Sequence, residues 1–202
     1  MTLDLFAPEP RQNILPYDGD VQDYGCIFSP DEADAYFQYL LQHLHWRHDE
    51  AKLYGKHFVT ARQVAWYGDR HYRYSYSGVI RDALTWEPEL LKLKHRLEQL
   101  LSERFNSCLA NRYEEGTQGM AWHSDGDMSL AKETTIASLS FGATRKFCFR
   151  HMQSKEKVEL HLQSGQLIVM RGQTQQHWQH ALMKSQKVIQ PRINLTFRQF
   201  LL

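Results

Sequence analysis

Two hydrophobic rhythms divide this chain. Ser29-Pro30-Asp31-Glu32 joins a capping serine, a proline at the first helical position and an acid three residues past the cap. Phe37, Leu40, Leu41 and Leu44 follow at helical spacing, which predicts a helix with one face on a core. His43 and His45 then face away from each other as surface residues. A second helix is expected from near Pro88 to about Phe105, with Leu90, Leu93, Leu97, Leu100 and Leu101 as its buried stripe. From Ser107 the apolar runs shorten to strand length: 108–113, 134–141, 146–150, 158–162, 166–170, 178–182 and 193–200. Gly116, Gly126, Gly142, Gly165 and Gly172 punctuate them. Helices followed by many short strands predict an α+β chain whose second half is a double-sheet jelly roll. The first stretch, to about Gly25, reads as an extended arm or irregular edge.

Between Trp46 and Trp86 aromatics interleave with cations and glycines: Tyr54-Gly55-Lys56-His57-Phe58, Trp66-Tyr67-Gly68-Asp69, then Tyr72, Tyr74, Tyr76 and Ser77-Gly78. Tyr72, Tyr74 and Tyr76 alternate and would line one face of a strand or extended loop. Aromatic faces beside cations suit stacking on nucleobases next to phosphates; the competing reading is a hairpin with aromatic cross-strand packing.

At 202 residues the length favours one domain over two. No apolar run is long enough to span a bilayer, and Met1 to Pro10 carries Asp4 and Glu9 where a signal peptide has a basic flank. The expectation is an intracellular protein, cytoplasmic in a bacterium or nuclear in a eukaryote, with no membrane association. Cys26, Cys108 and Cys148 have no paired spacing and are expected to be buried free thiols. A net charge of +1 argues against a generic binder of nucleic acid. Its placement is uneven, however. Residues 1–34 carry eight acids against Arg11, net −7, while residues 43–81 carry seven Lys and Arg against three acids, net +4. A polyanion should therefore approach the middle segment.

Candidate chemistry centres on the stretch from Asn111 to Asp127. In His123-Ser124-Asp125 an imidazole and a carboxylate stand two residues apart, so a strand end can aim both at one ion. Two histidines and one carboxylate form the facial triad of non-haem Fe(II) oxygenases, which leaves coordination positions open. His177 and His180 are both candidates for the third ligand; three apart in an extended strand, they point to opposite faces. Near the C-terminal end, Arg192, Asn194, Thr196 and Arg198 alternate with Ile193, Leu195 and Phe197. Cationic and amide groups facing a cavity are costly unless a ligand compensates them, and arginine can fork onto a carboxylate, as a dicarboxylate cosubstrate would need.

These stretches, together with Asn111-Arg112-Tyr113 and Ile136 to Gly142, resemble the AlkB family of Fe(II)- and 2-oxoglutarate-dependent nucleic-acid demethylases, in the family's order over residues 53–200. The likeness is nearest to the branch acting on double-stranded DNA, because Leu53-Tyr54-Gly55-Lys56 sits where that branch carries an aromatic finger. The resemblance implies a double-stranded β-helix with N-terminal helices packed on one sheet. It also implies one domain over 1–202, with an acidic arm at 1–25, a nucleotide-recognition region at 46–86 and a jelly-roll core at 107–202.

By the same resemblance, His123, Asp125 and His180 would bind Fe(II), His180 being preferred over His177 by its distance to Arg192. Arg192, Tyr113 and Asn194 would hold one end of 2-oxoglutarate, and Asn111 and Arg198 the other. Tyr74, Tyr76 and Ser77 would wall the base pocket, Asp127 would read the edge of a flipped base, and Tyr54 with Lys56 would engage the nucleic acid. Tyrosine stands at 54 where the family more often has phenylalanine. The implied reaction consumes O2 and removes N-methyl groups, as from 1-methyladenine or 3-methylcytosine, releasing formaldehyde. The expected partner is alkylated DNA, double-stranded before single-stranded or RNA, met by a monomer with no obligate protein partner. The rival expectations are the same chemistry on RNA or on a protein side chain, and a non-catalytic nucleic-acid-binding protein.

Overall fold

The computed structural model describes residues 11–53, 56–76, 79–125 and 134–201, with backbone alone for 51–53, 56–57, 74–76 and 79–80. Its first strand, β1 (Asp20–Cys26), turns part of the expected irregular arm into a sheet edge. Helix α1 (Pro30–His43) begins at the predicted cap. Ser29 Oγ accepts from Glu32 N, and the Glu32 carboxylate accepts from Ser29 N, which satisfies two otherwise orphaned donors. The helix ends at His43, so His45 lies beyond it. Two hairpins follow: β2 (Arg47–Leu53) with β3 (Lys56–Gly68), and β4 (Arg73–Tyr76) with β5 (Val79–Asp82). Helix α2 (Pro88–Leu101) stops one turn short of the expected end, at Ser102 in a left-handed conformation. Leu90, Leu93, Leu97 and Leu101 are buried, but Leu100, on the flank of that stripe, is 40% exposed.

The remaining elements are β6 (Ser107–Tyr113), β7 (Met120–His123), β8 (Ile136–Gly142), β9 (Arg145–His151), β10 (Lys157–Leu162), β11 (Gln166–Arg171), the short helix α3 (Thr174–His177), β12 (Trp178–Leu182) and β13 (Arg192–Arg198). They form a jelly-roll sandwich. The major sheet runs β1-β11-β8-β13-β6-β3-β2 and the minor sheet β10-β9-β12-β7.

Strand alternation sorts the interior. From β11, Leu167 and Val169 join the core between the major sheet and helices α1 and α2, while Ile168 and Met170 join the core between the sheets. From β8 and β13, Ala137, Leu139, Phe141, Ile193, Leu195 and Phe197 pack towards the helices. The opposite positions on those two strands, Ser138, Ser140, Arg192, Asn194 and Thr196, are polar and face the other sheet. The space between the sheets is thus apolar at one end, around Trp178, Phe149 and Ile136, and polar at the other. Gly142 closes β8 at φ +81, where a Cβ would stand 2.5 Å from the Pro191 carbonyl oxygen and 2.7 Å from the Phe37 ring.

Two further expectations change here. Cys108 and Cys148 are buried free thiols, but Cys26, last residue of the edge strand β1, is exposed. His177 closes α3 and does not share a strand with His180, so a helical turn, and not strand alternation, separates the two.

Candidate active site

The polar end of the sandwich is a cavity lined by Asn111, Tyr113, His123, Asp125, His180, Arg192, Asn194, Thr196 and Arg198, among others. On the minor sheet His180 of β12 lies directly opposite His123 of β7, and their rings meet edge to face at 4.3 Å. Asp125 follows two residues past the end of β7. Its Oδ1 is 3.7 Å from His123 Nε2 and 4.0 Å from His180 Nε2, and one ligand atom from each of the three lies within 4.8 Å of the others. His123 Nδ1 is 2.8 Å from the Ala121 carbonyl, which as acceptor places the proton there and leaves Nε2 a lone pair for an ion. Gln175 of α3 accepts the Asp125 backbone N–H through Oε1 at 2.8 Å and so holds the loop carrying the carboxylate.

The protonation states suit a cation. Burial pushes His180 down to about 4, so it is neutral near pH 7. Burial alone would raise the Asp125 carboxyl, but Arg198, His180 and His123 outweigh it and hold Asp125 below the ordinary carboxylate range. Two imidazoles and one carboxylate on one face, with no other protein ligand in the group among the described residues, leave coordination positions open.

Across the cavity Arg192 is 2% exposed. Burial lowers its guanidinium to about 10, so it remains a cation at neutral pH. Its Nη2 donates to Ser140 Oγ at 2.9 Å, its guanidinium carbon lies 5.8 Å from the Tyr113 ring centre, and its Nε has no hydrogen-bond partner. Among the described residues no carboxylate pairs with it. A buried cation in that state calls for an anionic ligand, and a carboxylate fits the guanidinium fork. Asn194 Nδ2 donates to Ser138 Oγ at 2.9 Å and to the Leu139 carbonyl at 3.2 Å, which anchors it beside Arg192. These residues fit both an Fe(II) ion and a dicarboxylic keto acid.

Toward the β2–β3 hairpin the cavity is bounded by residues that sequence reasoning counted only in the charge balance of 43–81. Asp49 accepts from both Arg62 Nη2 and Arg81 Nη2, and Arg62 Nη1 donates to Asn111 Oδ1 at 2.9 Å. Asn111, expected at one end of the keto acid, is therefore tied to this cluster, and both arginines line the cavity. Ser138 and Ser140 alternate with Ala137, Leu139 and Phe141, a period-two pattern that could have marked them in advance. Gln175 carried no signal, because a four-residue helix has no periodicity to read. Of the expected nucleic-acid contacts, Tyr54, Ser77 and Asp127 lie outside the described residues, and Lys56, Tyr74 and Tyr76 are placed by backbone alone in β3 and β4. Tyr72, expected to share a face with Tyr74 and Tyr76, is buried against Trp66 and Phe200.

The DNA oxidative demethylase ALKBH2 of Mus musculus is 35% identical over 98% of this chain and 87% of its own length. The alpha-ketoglutarate-dependent dioxygenase alkB homolog 3 of Homo sapiens is 37% identical over 95% of this chain and 73% of its own. A family model described as the 2OG-Fe(II) oxygenase superfamily matches residues 24–198. The chain belongs to this superfamily, in its AlkB family. A solved structure described as "The structure of OsALKBH1" covers 92% of this chain and 98% of its own, with a TM-score of 0.60 at 16% identity, a likeness of fold. As an AlkB-family member the protein is an Fe(II)- and 2-oxoglutarate-dependent dioxygenase. The rival expectation of a non-catalytic binding protein falls with that assignment.

Proposed function

We propose that this AlkB-family protein oxidatively demethylates N-alkylated bases in DNA, 1-methyladenine and 3-methylcytosine in particular, and prefers them in a duplex. The observation that carries this reading is the pairing, in one cavity, of a His-His-Asp group with a buried arginine that no carboxylate among the described residues pairs with. The names of the two curated relatives, a DNA oxidative demethylase and an alpha-ketoglutarate-dependent dioxygenase, support it. So does the excess of cations between residues 43 and 81.

In this reading His123, Asp125 and His180 hold Fe(II), Arg192 takes the distal carboxylate of 2-oxoglutarate, and Tyr113 and Asn194 assist it. Bound there, Fe(II), 2-oxoglutarate and O2 would supply the oxidation: one oxygen atom would go to the keto acid, which leaves as succinate and CO2, and the other to the N-methyl carbon, whose hydroxymethyl adduct would release formaldehyde and leave the parent base. The chain's own share is binding, aiming and exclusion of water. His123 and His180 present their Nε2 atoms from facing strand positions, and Asp125 supplies the negative charge. Arg198, across from Asp125, balances that charge before an ion arrives. Residues 46–86 act as the nucleotide-recognition region and residues 107–202 as the catalytic core of one domain. A methylated base pairs poorly, so extruding it into the cavity costs less than extruding an intact one, and selectivity begins there.

The test is anaerobic reconstitution with Fe(II) and 2-oxoglutarate, then air with a duplex carrying 1-methyladenine, read by mass spectrometry of the oligonucleotide. Loss of one methyl group that needs both cofactors is the expected result, and Asp125→Ala should abolish it while weakening iron binding. Succinate formed without demethylation, or a stronger reaction on methylated RNA, overturns the DNA assignment.

A further inference from the structure

A second group of two histidines and an aspartate stands outside the catalytic cavity. His151 ends β9, His177 ends α3, and Asp18 lies in the segment before β1. One ligand atom from each lies within 4.8 Å of the other two. None of the three lines the catalytic cavity. We propose that Asp18, His151 and His177 form a second divalent-metal site that takes Zn2+ and ties the segment before β1 to the minor sheet and to α3.

The observation that points to a ligand is His151 Nε2. The residue is 4% exposed, and this nitrogen has no hydrogen-bond partner although it faces Asp18. Asp18 Oδ2 is 3.4 Å away, beyond the usual N–H···O range, and makes no hydrogen bond to it. Yet two ligands on one tetrahedral zinc, each about 2.0–2.1 Å from it, stand about 3.3–3.4 Å apart. The separation is thus a ligand spacing more than a bonding one. It is shorter than the 3.7 Å and 4.0 Å between Asp125 and its two histidines in the catalytic group.

The surroundings hold the donors in place. The Tyr17 hydroxyl donates to Glu156 Oε2 and lies 2.7 Å from Ser154 Oγ, the Tyr17 carbonyl accepts from Trp178 Nε1 at 3.0 Å, and the Tyr17 ring meets His151 edge-on at 5.0 Å. Asp18 therefore leaves an anchored neighbour. His151 Nδ1 lies 3.0 Å from Ser154 Oγ and 3.1 Å from Ser154 N. Without an ion the Ser154 N–H donates to Nδ1 and the ring proton sits on Nε2. When an ion binds Nε2, that proton moves to Nδ1 and is donated to Ser154 Oγ, the outer partner that metal-bound imidazoles usually have. Ser154 is exposed, so water can take up its freed N–H. Asp18 is also half exposed, which leaves the fourth position of a tetrahedral zinc to solvent. Two imidazoles and one carboxylate with solvent are also a donor set that zinc takes, and α3, which ends in His177, also carries Gln175, the residue that holds the Asp125 backbone.

The full chain carrying Asp125→Ala and His180→Ala lacks the catalytic group and isolates the second one. After chelator treatment, calorimetric titration of this variant with ZnCl2 should show one equivalent bound, and adding His177→Ala should weaken that binding at least tenfold. No zinc uptake, or one equivalent unaffected by His177→Ala, overturns the proposal. Should the double variant not fold by circular dichroism, the unaltered chain decides. Saturated with Zn2+ and desalted, it should carry two equivalents by elemental analysis, and His177→Ala one. One equivalent in both rejects the site.

Discussion

At the scale of single residues, the catalytic cavity is defined by groups whose electrostatic state is incomplete. Arg192 is a buried cation with an idle Nε–H and no carboxylate partner among the described residues. Arg192→Lys keeps the charge but loses the fork. The 2-oxoglutarate KM should rise by about ten- to hundredfold, the equivalent of roughly 1.5–3 kcal/mol for a charge-assisted hydrogen bond, with kcat at saturation changed far less. Steady-state kinetics over a range of 2-oxoglutarate checks this split. Gln175 acts one step back, through the backbone of Asp125. Gln175→Ala should lower Fe(II) affinity by about ten- to hundredfold, the usual effect of losing an outer partner. Fe(II) titration by calorimetry is the readout, and rescue by Gln175→Glu, which keeps the acceptor, separates positioning from a general loss of fold.

At the scale of elements, the helices brace the major sheet from outside while the site lies on its inner face. The first turn of α1 rests on the reciprocal bonds between Ser29 and Glu32. Ser29→Ala should cost about 1 kcal/mol, which in a protein of this size lowers the melting midpoint by about 2–4 °C. Calorimetric melting would show it, and turnover should be unchanged, because α1 packs on the face of β8 and β13 opposite to Ser140 and Arg192. The same strands serve both purposes by alternation: Ile193, Leu195 and Phe197 hold the helices while Arg192, Asn194, Thr196 and Arg198 line the cavity.

For the whole molecule, the two sheets close over a cavity whose border near the β2–β3 hairpin is the Asp49, Arg62 and Arg81 cluster. Tyr54 follows β2 in the sequence and lies outside the described residues; we propose it as the wedge for nucleic acid that enters from that side. Tyr54→Ala should then reduce turnover of a methylated duplex by tenfold or more, about 1.4 kcal/mol, and leave single-stranded turnover within about twofold, since only a duplex has a stack to open. Parallel assays on the same lesion in both forms decide it, and equal loss on both rejects the wedge.

Much of this was legible in the chain itself. The capping box, the leucine stripe of α2 and the strand alternation of β13 depend on neighbours in sequence, and such periodicities survive without any knowledge of the fold. His123 and Asp125 could be read as a pair because two residues separate them. Position in three dimensions was not legible where it depends on distant partners. Leu100 fits the helical stripe yet stays exposed, because which flank of a stripe is covered depends on the elements packed against it. Cys26 is apolar in context but lies at a sheet edge. His180 and His177 were separable from sequence only by resemblance. In the fold, strand pairing sets His180 opposite His123, while a turn of α3 carries His177 away to Asp18 and His151. Spacing along the chain thus determined which residues could act together locally. Which distant ones do so was decided by sheet register, because a one-residue slip moves every side chain of a strand to the other face.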